Sequence, residues 1–593
     1  MALTAFAWAL GGCGSSPSVV STAGADSSSV AASTADPLAS SYVASVASSA
    51  GLAYDSGVDF AVDFTAPGGQ SVTVLVKAPA GLSASATCPG QQCYVMRAIG
   101  PGETPDAYFP AAVAAATAAG AHKLVIPQGT YHFQGATVDP DSSNGSTCNE
   151  AHYYNCAPHW TIGSYPNSPM TAATAVTDLE IDLSGSQLDF STPTTGIWIL
   201  NAARVRLENF TIDWPQLRIA SLGTIVPDPQ NPGHQALVLD DAYSAADPLT
   251  GGTVQIQAVD VWDDSTDPAE APGRFDLSAT NAHETYFIFG GTQPTYVGAT
   301  GAGNQTFSCE SCKFTNGAND ANCSMFQGCA NFDLFATGTR VIVRHYTYNG
   351  FAVLMNWSND IDIENVHILT GPGMGIGVNN GGGFRGFRVA DSSISRGGGR
   401  LISTASDAIN ITQLGGDVII DGNEVAYQGD DGINVSPSAQ AVSSASAGMI
   451  SVSGACTPNP RDGAVGGDTL AFFDSSSNFL GTATVDAVTG STCGTPAMLS
   501  IVLDCAGSTA CAGVLDGLSP SDSFVDVTEQ PVARYAIRNN YFHENRGHGT
   551  LAGAPLGELT GNTYFRNSMG PIEFGSLGNF GGSNVLVSGN VTN

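Results

Sequence analysis

Tyr535-Ala-Ile-Arg-Asn-Asn540, Gly557-Glu-Leu-Thr-Gly-Asn562 and Val585-Leu-Val-Ser-Gly-Asn590 are short apolar runs that end alike, on an Asn preceded by Asn or Gly. The closing Asn residues lie 22 and 28 positions apart, about one turn of a solenoid of stacked strands. Earlier runs share the pattern: Val205-Arg-Leu-Glu-Asn209-Phe-Thr-Ile-Asp213, Ile361-Asp-Ile-Glu-Asn365-Val and Val418-Ile-Ile-Asp-Gly-Asn423. Asn tolerates left-handed backbone and can hydrogen-bond to a copy of itself one coil away, so a ladder of Asn gives the repeat a physical cause. The period favours an all-β, right-handed parallel β-helix over a β-sandwich with Asn turns.

A solenoid needs its first coil covered. Residues 105–133 supply an Ala-rich amphipathic stretch after Pro105-Asp106, then Lys123-Leu-Val-Ile-Pro127-Gln-Gly129-Thr-Tyr131. This reads as a short helix followed by a strand, and it resembles the N-terminal cap of pectin-lyase-like β-helix enzymes. Two stretches with alternating strands interrupt the period and read as small inserted β-barrel-like domains. The expected organisation is a signal and tether over 1–50, a β region over 51–104, and cap and first coils over 105–214. An insert over 215–335, coils over 336–436, a second insert over 437–532 and final coils over 533–593 complete it.

The chain has 593 residues with 52 acidic and 19 basic side chains, a formal charge of −33. So little positive charge argues against nucleic acid and anionic membrane surfaces as partners. Charged residues are only 12% and glycines number 71, a composition that suits a turn-rich secreted β protein. No run of uninterrupted apolar residues is long enough for a transmembrane helix. Leu10-Gly11-Gly12-Cys13 looks like a bacterial lipobox, although no Lys or Arg precedes it. The expected location is extracytoplasmic, either secreted or as an outer-surface lipoprotein. The other twelve cysteines fall into local groups, Cys88/Cys93, Cys148/Cys156, Cys309 to Cys329, Cys456/Cys493 and Cys505/Cys511, which suggests disulfides. Zinc at Cys309–Cys329 is the alternative, but no His lies between those cysteines.

The chemistry concentrates in two near-copies, Ser406-Asp407-Ala-Ile-Asn410-Ile and Asp430-Asp431-Gly-Ile-Asn434-Val. Asp407 and Asp430 are 23 residues apart, about one coil. Stacked coils lie about 4.8 Å apart, so the three carboxylates should share one face. Three such acids cannot all remain ionised comfortably, and one should have a raised pKa, as a general acid requires. Glycoside hydrolysis uses such a set, one acid for the leaving oxygen and one carboxylate for water or attack. A calcium site, or plain turn aspartates, is the competing reading. No cofactor is expected and no other metal-ligand set is apparent.

With Arg400-Leu-Ile-Ser-Thr-Ala-Ser-Asp407 and Tyr427-Gln-Gly-Asp430-Asp431 quoted, a resemblance can be named: these segments look like glycoside hydrolase family 110, the exo-acting α-1,3-galactosidases. Ile212-Asp213-Trp214 also resembles that family. The resemblance implies a β-helix with inserted barrels and an inverting mechanism. It implies Asp430 as general acid, with Asp407 and Asp431 holding the attacking water. One departure is Ser436-Pro437, where that family continues with His-Gly. The rival is glycoside hydrolase family 28, the polygalacturonases, which share the acid set and a Gly-His-Gly like Gly547-His548-Gly549. Their Arg-x-Lys, which grips a uronate, is absent: no Lys follows Lys313. A non-catalytic carbohydrate-binding β-helix is the other alternative. The expected partner is an oligosaccharide or polysaccharide glycan, contacted by Arg546, His548, Trp357, Trp214, His345 and Asn434, with Tyr346 a further candidate. Arg can hydrogen-bond hydroxyls, and aromatic faces stack on sugars. A homo-oligomer is compatible with the sequence.

Overall fold

A computed structural model describes residues 59–79, 93–135, 158–164, 176–240, 256–264, 332–412, 416–453 and 534–592, apart from single positions and short gaps, together with isolated strands of the two inserts. The chain is an all-β protein built on a parallel β-helix, with one α-helix among the described residues, the 14-residue Pro105–Ala118. That helix turns Phe109, Ala112, Val113 and Ala116 inward. Phe109 meets Tyr131, Phe133 and Trp160 edge-on at about 5 Å, so the cap closes the core with aromatic edges.

Two parallel sheets carry the coils. The longer runs through Lys123–Val125, Val176–Phe190, Ala202–Asp213, Asn359–Ile368, Arg385–Ala390, Asp417–Asp421, Arg534–Arg538, Leu556–Thr560 and Asn584–Ser588. The other has eight strands, from Trp160–Gly163 through Ile197–Leu200, Phe351–Asn356, Met374–Val378, Ile409–Thr412, Ile433–Ser436 and His548–Ala552 to Gly570–Phe574. One core column of the long sheet is Leu124, Ile181, Leu207, Ile363, Val389, Ile420, Ile537 and Leu559, every member fully or almost fully buried. Each apolar side chain therefore lies on the one a coil before it, and burial accumulates along the stack. One outward column alternates sign: Lys123, Glu180, Arg206, Asp362 and Arg388. Opposite charges so placed hold register, since a slip of one residue would set an ion against an apolar neighbour.

The Asn residues separate into two columns. Asn423, Asn540, Asn562 and Asn590 form the buried ladder, each Nδ2 donating to the next Oδ1 at 2.9–3.1 Å. The left-handed residue is the one before, at Gly422, Asn539, Gly561 and Gly589. Asn209 and Asn365 belong to that second column, with φ of 63° and 51°, and Asn365 Nδ2 donates to Asn209 Oδ1 on the exposed surface. The two roles assigned to one Asn thus fall on neighbours: one bends the chain, the next satisfies the backbone inside.

Residues 440–526 form a closed barrel of six antiparallel strands around Val442, Ile450, Leu470, Phe472, Val485, Ile501 and Leu503. Residues 220–344 contribute a nine-stranded sheet of antiparallel pairs. Its strand Arg340–Arg344 lies beyond residue 335, so this sheet outlasts the boundary expected from the sequence. The hairpin Phe60–Thr65 and Ser71–Val76 lays Val62, Phe64, Val72, Val74 and Val76 on Ile419, Ala536 and Leu556 of the long sheet. Cys93 is disulfide-bonded; the other cysteines, Cys13 among them, lie outside the described residues. Among the described residues no helix is long and apolar enough to cross a membrane.

Candidate active site

The site lies where the chain enters three successive strands of the eight-stranded sheet. Ile409 pairs with Ile433, and Ile433 with Thr550. Two residues before each stand Asp407, Asp431 and His548. The coil step between the acids is therefore 24 residues, and Asp407 stacks on Asp431 rather than on Asp430. Asp430 stacks instead between Ser406 and Gly547.

Buried amides hold these turns. Gln428 Nε2 donates to the carbonyls of Ile394 and Ala426, at 2.6 and 2.9 Å. Its Oε1 accepts from Ser403 Oγ at 2.8 Å and from Thr404 Oγ1. The Gln428 N–H donates to Asn545 Oδ1 at 3.2 Å, and Asn545 Nδ2 donates to Asn567 Oδ1 at 2.8 Å. A second amide ladder thus runs three residues before the acid column. Gly547 has a steric reason: a Cβ there would lie 2.4 Å from Asp431 Oδ1.

Carboxylate oxygens of Asp407, Asp430 and Asp431 lie within 4.8 Å of one another. Asp407 is buried, accepting from Asn410 Nδ2 at 2.5 Å and from the Asp431 N–H at 3.2 Å. Burial, then the charges of Asp430 and Asp431, push its pKa well above the carboxylate range. The raised group is thus Asp407. Asp430 is the most open of the three, with 20% of its side chain exposed. It accepts from the Tyr348 hydroxyl at 2.9 Å, and Arg546 Nη1 lies 3.7 Å away. Asp431 Oδ1 accepts from the His548 N–H at 2.7 Å and from His548 Nδ1 at 3.0 Å. The far ring nitrogen of His548 meets Glu573 Oε2 at 2.6 Å. Burial lowers the His548 pKa, but Asp431 and Glu573 outweigh it and raise it to about 9. Three carboxylates this close have the spacing to hold a cation, and His548 and Arg546 stand beside them.

Arg546 and His548 therefore come together with the acids, and Asn434 stacks on Asn410 in the same sheet. Trp214 does not present a face to a ligand: it is fully buried, packs on Phe190 at 5.0 Å and donates Nε1–H to the Thr192 carbonyl at 2.8 Å. His345 and Tyr346 are each 1% exposed and belong to the interior. Buried rings offer no face to a sugar. Trp357 lies outside the described residues. Sequence reading missed Tyr348, Gln428 and Glu573. Coil arithmetic from His548 leads to Gly570, its partner on the next strand, and Glu573 lies opposite Leu551, so spacing alone did not single it out.

No family model matches the chain, and no curated protein matches it. Among solved structures it is similar to the tailspike protein gp49 from Pseudomonas phage LKA1, at 10% identity and a TM-score of 0.17. That similarity covers 77% of this chain and 51% of the other, so this chain spans about half the length of that protein.

Proposed function

We propose that this protein is a glycoside hydrolase whose acid machinery is Asp407, Asp430 and Asp431. The observation that carries the reading is the cluster itself: three carboxylates from adjacent coils, one buried with its pKa pushed up, one partly open to solvent. On the resemblance, Asp430 is the general acid that protonates the glycosidic oxygen, and Asp407 with Asp431 holds the attacking water. The three acids titrate as one coupled set, so the proton favoured by the burial of Asp407 belongs to the cluster, and Asp430, its most open member, delivers it.

The spacing of the oxygens is nearer the roughly 5–5.5 Å of retaining enzymes than the 6.5–9.5 Å of inverting ones. Burial argues the other way. Asp407 and Asp431 are 4% and 8% exposed, so a water can reach them where an anomeric carbon cannot. This supports inversion, as does the resemblance to glycoside hydrolase family 110. The substrate is a neutral terminal sugar, an α-1,3-linked galactose on that resemblance. Arg546 faces Asp430 and His548 lies between Asp431 and Glu573, so both nearby cations are committed to the protein's own carboxylates. A uronate would lack its grip, which disfavours the polygalacturonase reading. A secreted or lipid-anchored location fits a glycan substrate.

Hydrolysis of a panel of chromogenic α- and β-glycosides, with Gal-α-1,3-Gal and pectate included, tests the reading. Release of galactose with inverted configuration, followed by NMR, is expected. Binding without turnover, unaffected by Asp430→Asn, would make the protein a carbohydrate-binding β-helix instead.

A further inference from the structure

The contact between Glu573 and His548 lies outside the acid trio and has its own chemistry. His548 stands on the strand His548–Ala552, and Glu573 on the next strand of the same sheet. The ring nitrogens face two different carboxylates, Nδ1 to Asp431 at 3.0 Å and Nε2 to Glu573 at 2.6 Å. A neutral imidazole has one N–H and can donate to only one of them. Satisfying both ionised partners takes the doubly protonated ring. The His548 side chain is 9% exposed, so an unpaired ring proton would cost heavily, while Glu573 reaches it from a side chain that is 36% exposed.

We infer that Glu573 is a positioning residue for the hydrolytic site: it holds His548 as an imidazolium with Nδ1–H fixed on Asp431 Oδ1. The inference rests on the reading of Asp431 as a water-holding carboxylate. The His548 N–H and ring both fall on Oδ1 of Asp431. Their effect is to aim the carboxylate and leave Oδ2 for water. Among the described residues, the other charged and titratable groups around His548 are Asp430 and Asp407 on the preceding coils, Arg546 on its own turn, Tyr348 against Asp430, and Tyr564 beneath Gly549. Of these only Arg546 is a cation, and it would not replace the second carboxylate. Without Glu573 the ring keeps a single strong acceptor, and its second proton is held less tightly.

The test is Glu573→Gln in the full chain, with Glu573→Asp as the conservative variant. Imidazole NMR titration reads the His548 pKa directly, assigned by loss of its signals in His548→Gln. The expected result is a fall of at least one pH unit in Glu573→Gln and partial recovery in Glu573→Asp. The alkaline limb of kcat should move down by the same interval, with KM within about two-fold and the unfolding midpoint nearly unchanged. An unshifted His548 titration in folded Glu573→Gln overturns the inference, whatever the activity. Absence of glycosidase activity in the wild-type protein would instead sink the proposed function, while the titration still decides whether Glu573 locks the ring.

Discussion

Replacing Asp407 by Asn should abolish turnover while making the protein less sensitive to rising pH. The side chain keeps its shape, and its Oδ1 can still accept from the Asp431 N–H. The bond to Asn410 survives if the Asn410 amide turns over, so that the new Nδ2 donates to its Oδ1, and the structural change is worth about 1 kcal/mol or less. The proton is another matter. An unfolded Asp loses its proton near pH 4, whereas burial and two neighbouring carboxylates keep Asp407 protonated far above that. Between the two values the folded state binds more protons than the unfolded state, so stability falls as pH rises. The stabilising contribution is present below the unfolded pKa and is lost as pH climbs to the folded one, at up to about 1.4 kcal/mol per pH unit. Asn cannot titrate and carries no such slope. Urea unfolding at pH 5 and pH 7 should therefore show the variant gaining on the wild type as pH rises, at no more than that per-unit limit. The neighbouring acids share the proton, so the full slope belongs to the trio. Turnover should drop at least about a hundred-fold, the low end of general acid–base assistance. A stability difference that stays flat with pH would refute the buried proton, and activity within ten-fold of wild type would refute the role of Asp407.

Gly547→Ala should lower activity more than ten-fold and lower the melting temperature clearly, because its Cβ would meet Asp431 Oδ1 at 2.4 Å and the Asp430–Asp431 backbone at 2.7 Å; unchanged kinetics would count against the placement of that carboxylate. Asn540→Ala should destabilise by about 2–5 kcal/mol in denaturant titration, since it strands the Ile420 carbonyl and the Asn423 N–H inside the coil; a loss under 1 kcal/mol would show that the ladder is dispensable. Activity should survive EDTA, and a loss restored by calcium would move the acid trio into a metal site. Intact mass should rise by about two daltons per bridge on reduction, and a chain from an oxidising compartment with every thiol free would contradict the disulfide at Cys93.

The repeat was legible because a parallel β-helix is almost one-dimensional. Each coil meets only its neighbours, so Asn540, Asn562 and Asn590 disclose the fold by spacing alone. The helix cap was legible for a related reason, since Pro105 and the Ala-rich run form local structure. The acid motif could be read in outline because Asp407-Ala-Ile-Asn410 and Asp431-Gly-Ile-Asn434 are near-copies. What spacing could not give was register to the residue. Whether Asp430 or Asp431 sits above Asp407 depends on how Ile409 pairs with Ile433, and a shift of one reverses which side chain faces which. Composition was equally silent on Trp214 and His345, because a Trp or His in an apolar run reads the same whether its surroundings are wet or dry. Only the packed structure buries them. Likewise only the stacking of coils separated by a whole barrel brings His548 onto Asp431, 117 residues away. The sequence by itself determined the solenoid and the acids, because both follow from local period. The tertiary structure decided which acid is most buried, which of its neighbours meet a cation and which aromatics are core, because charge and burial depend on neighbours distant in the chain.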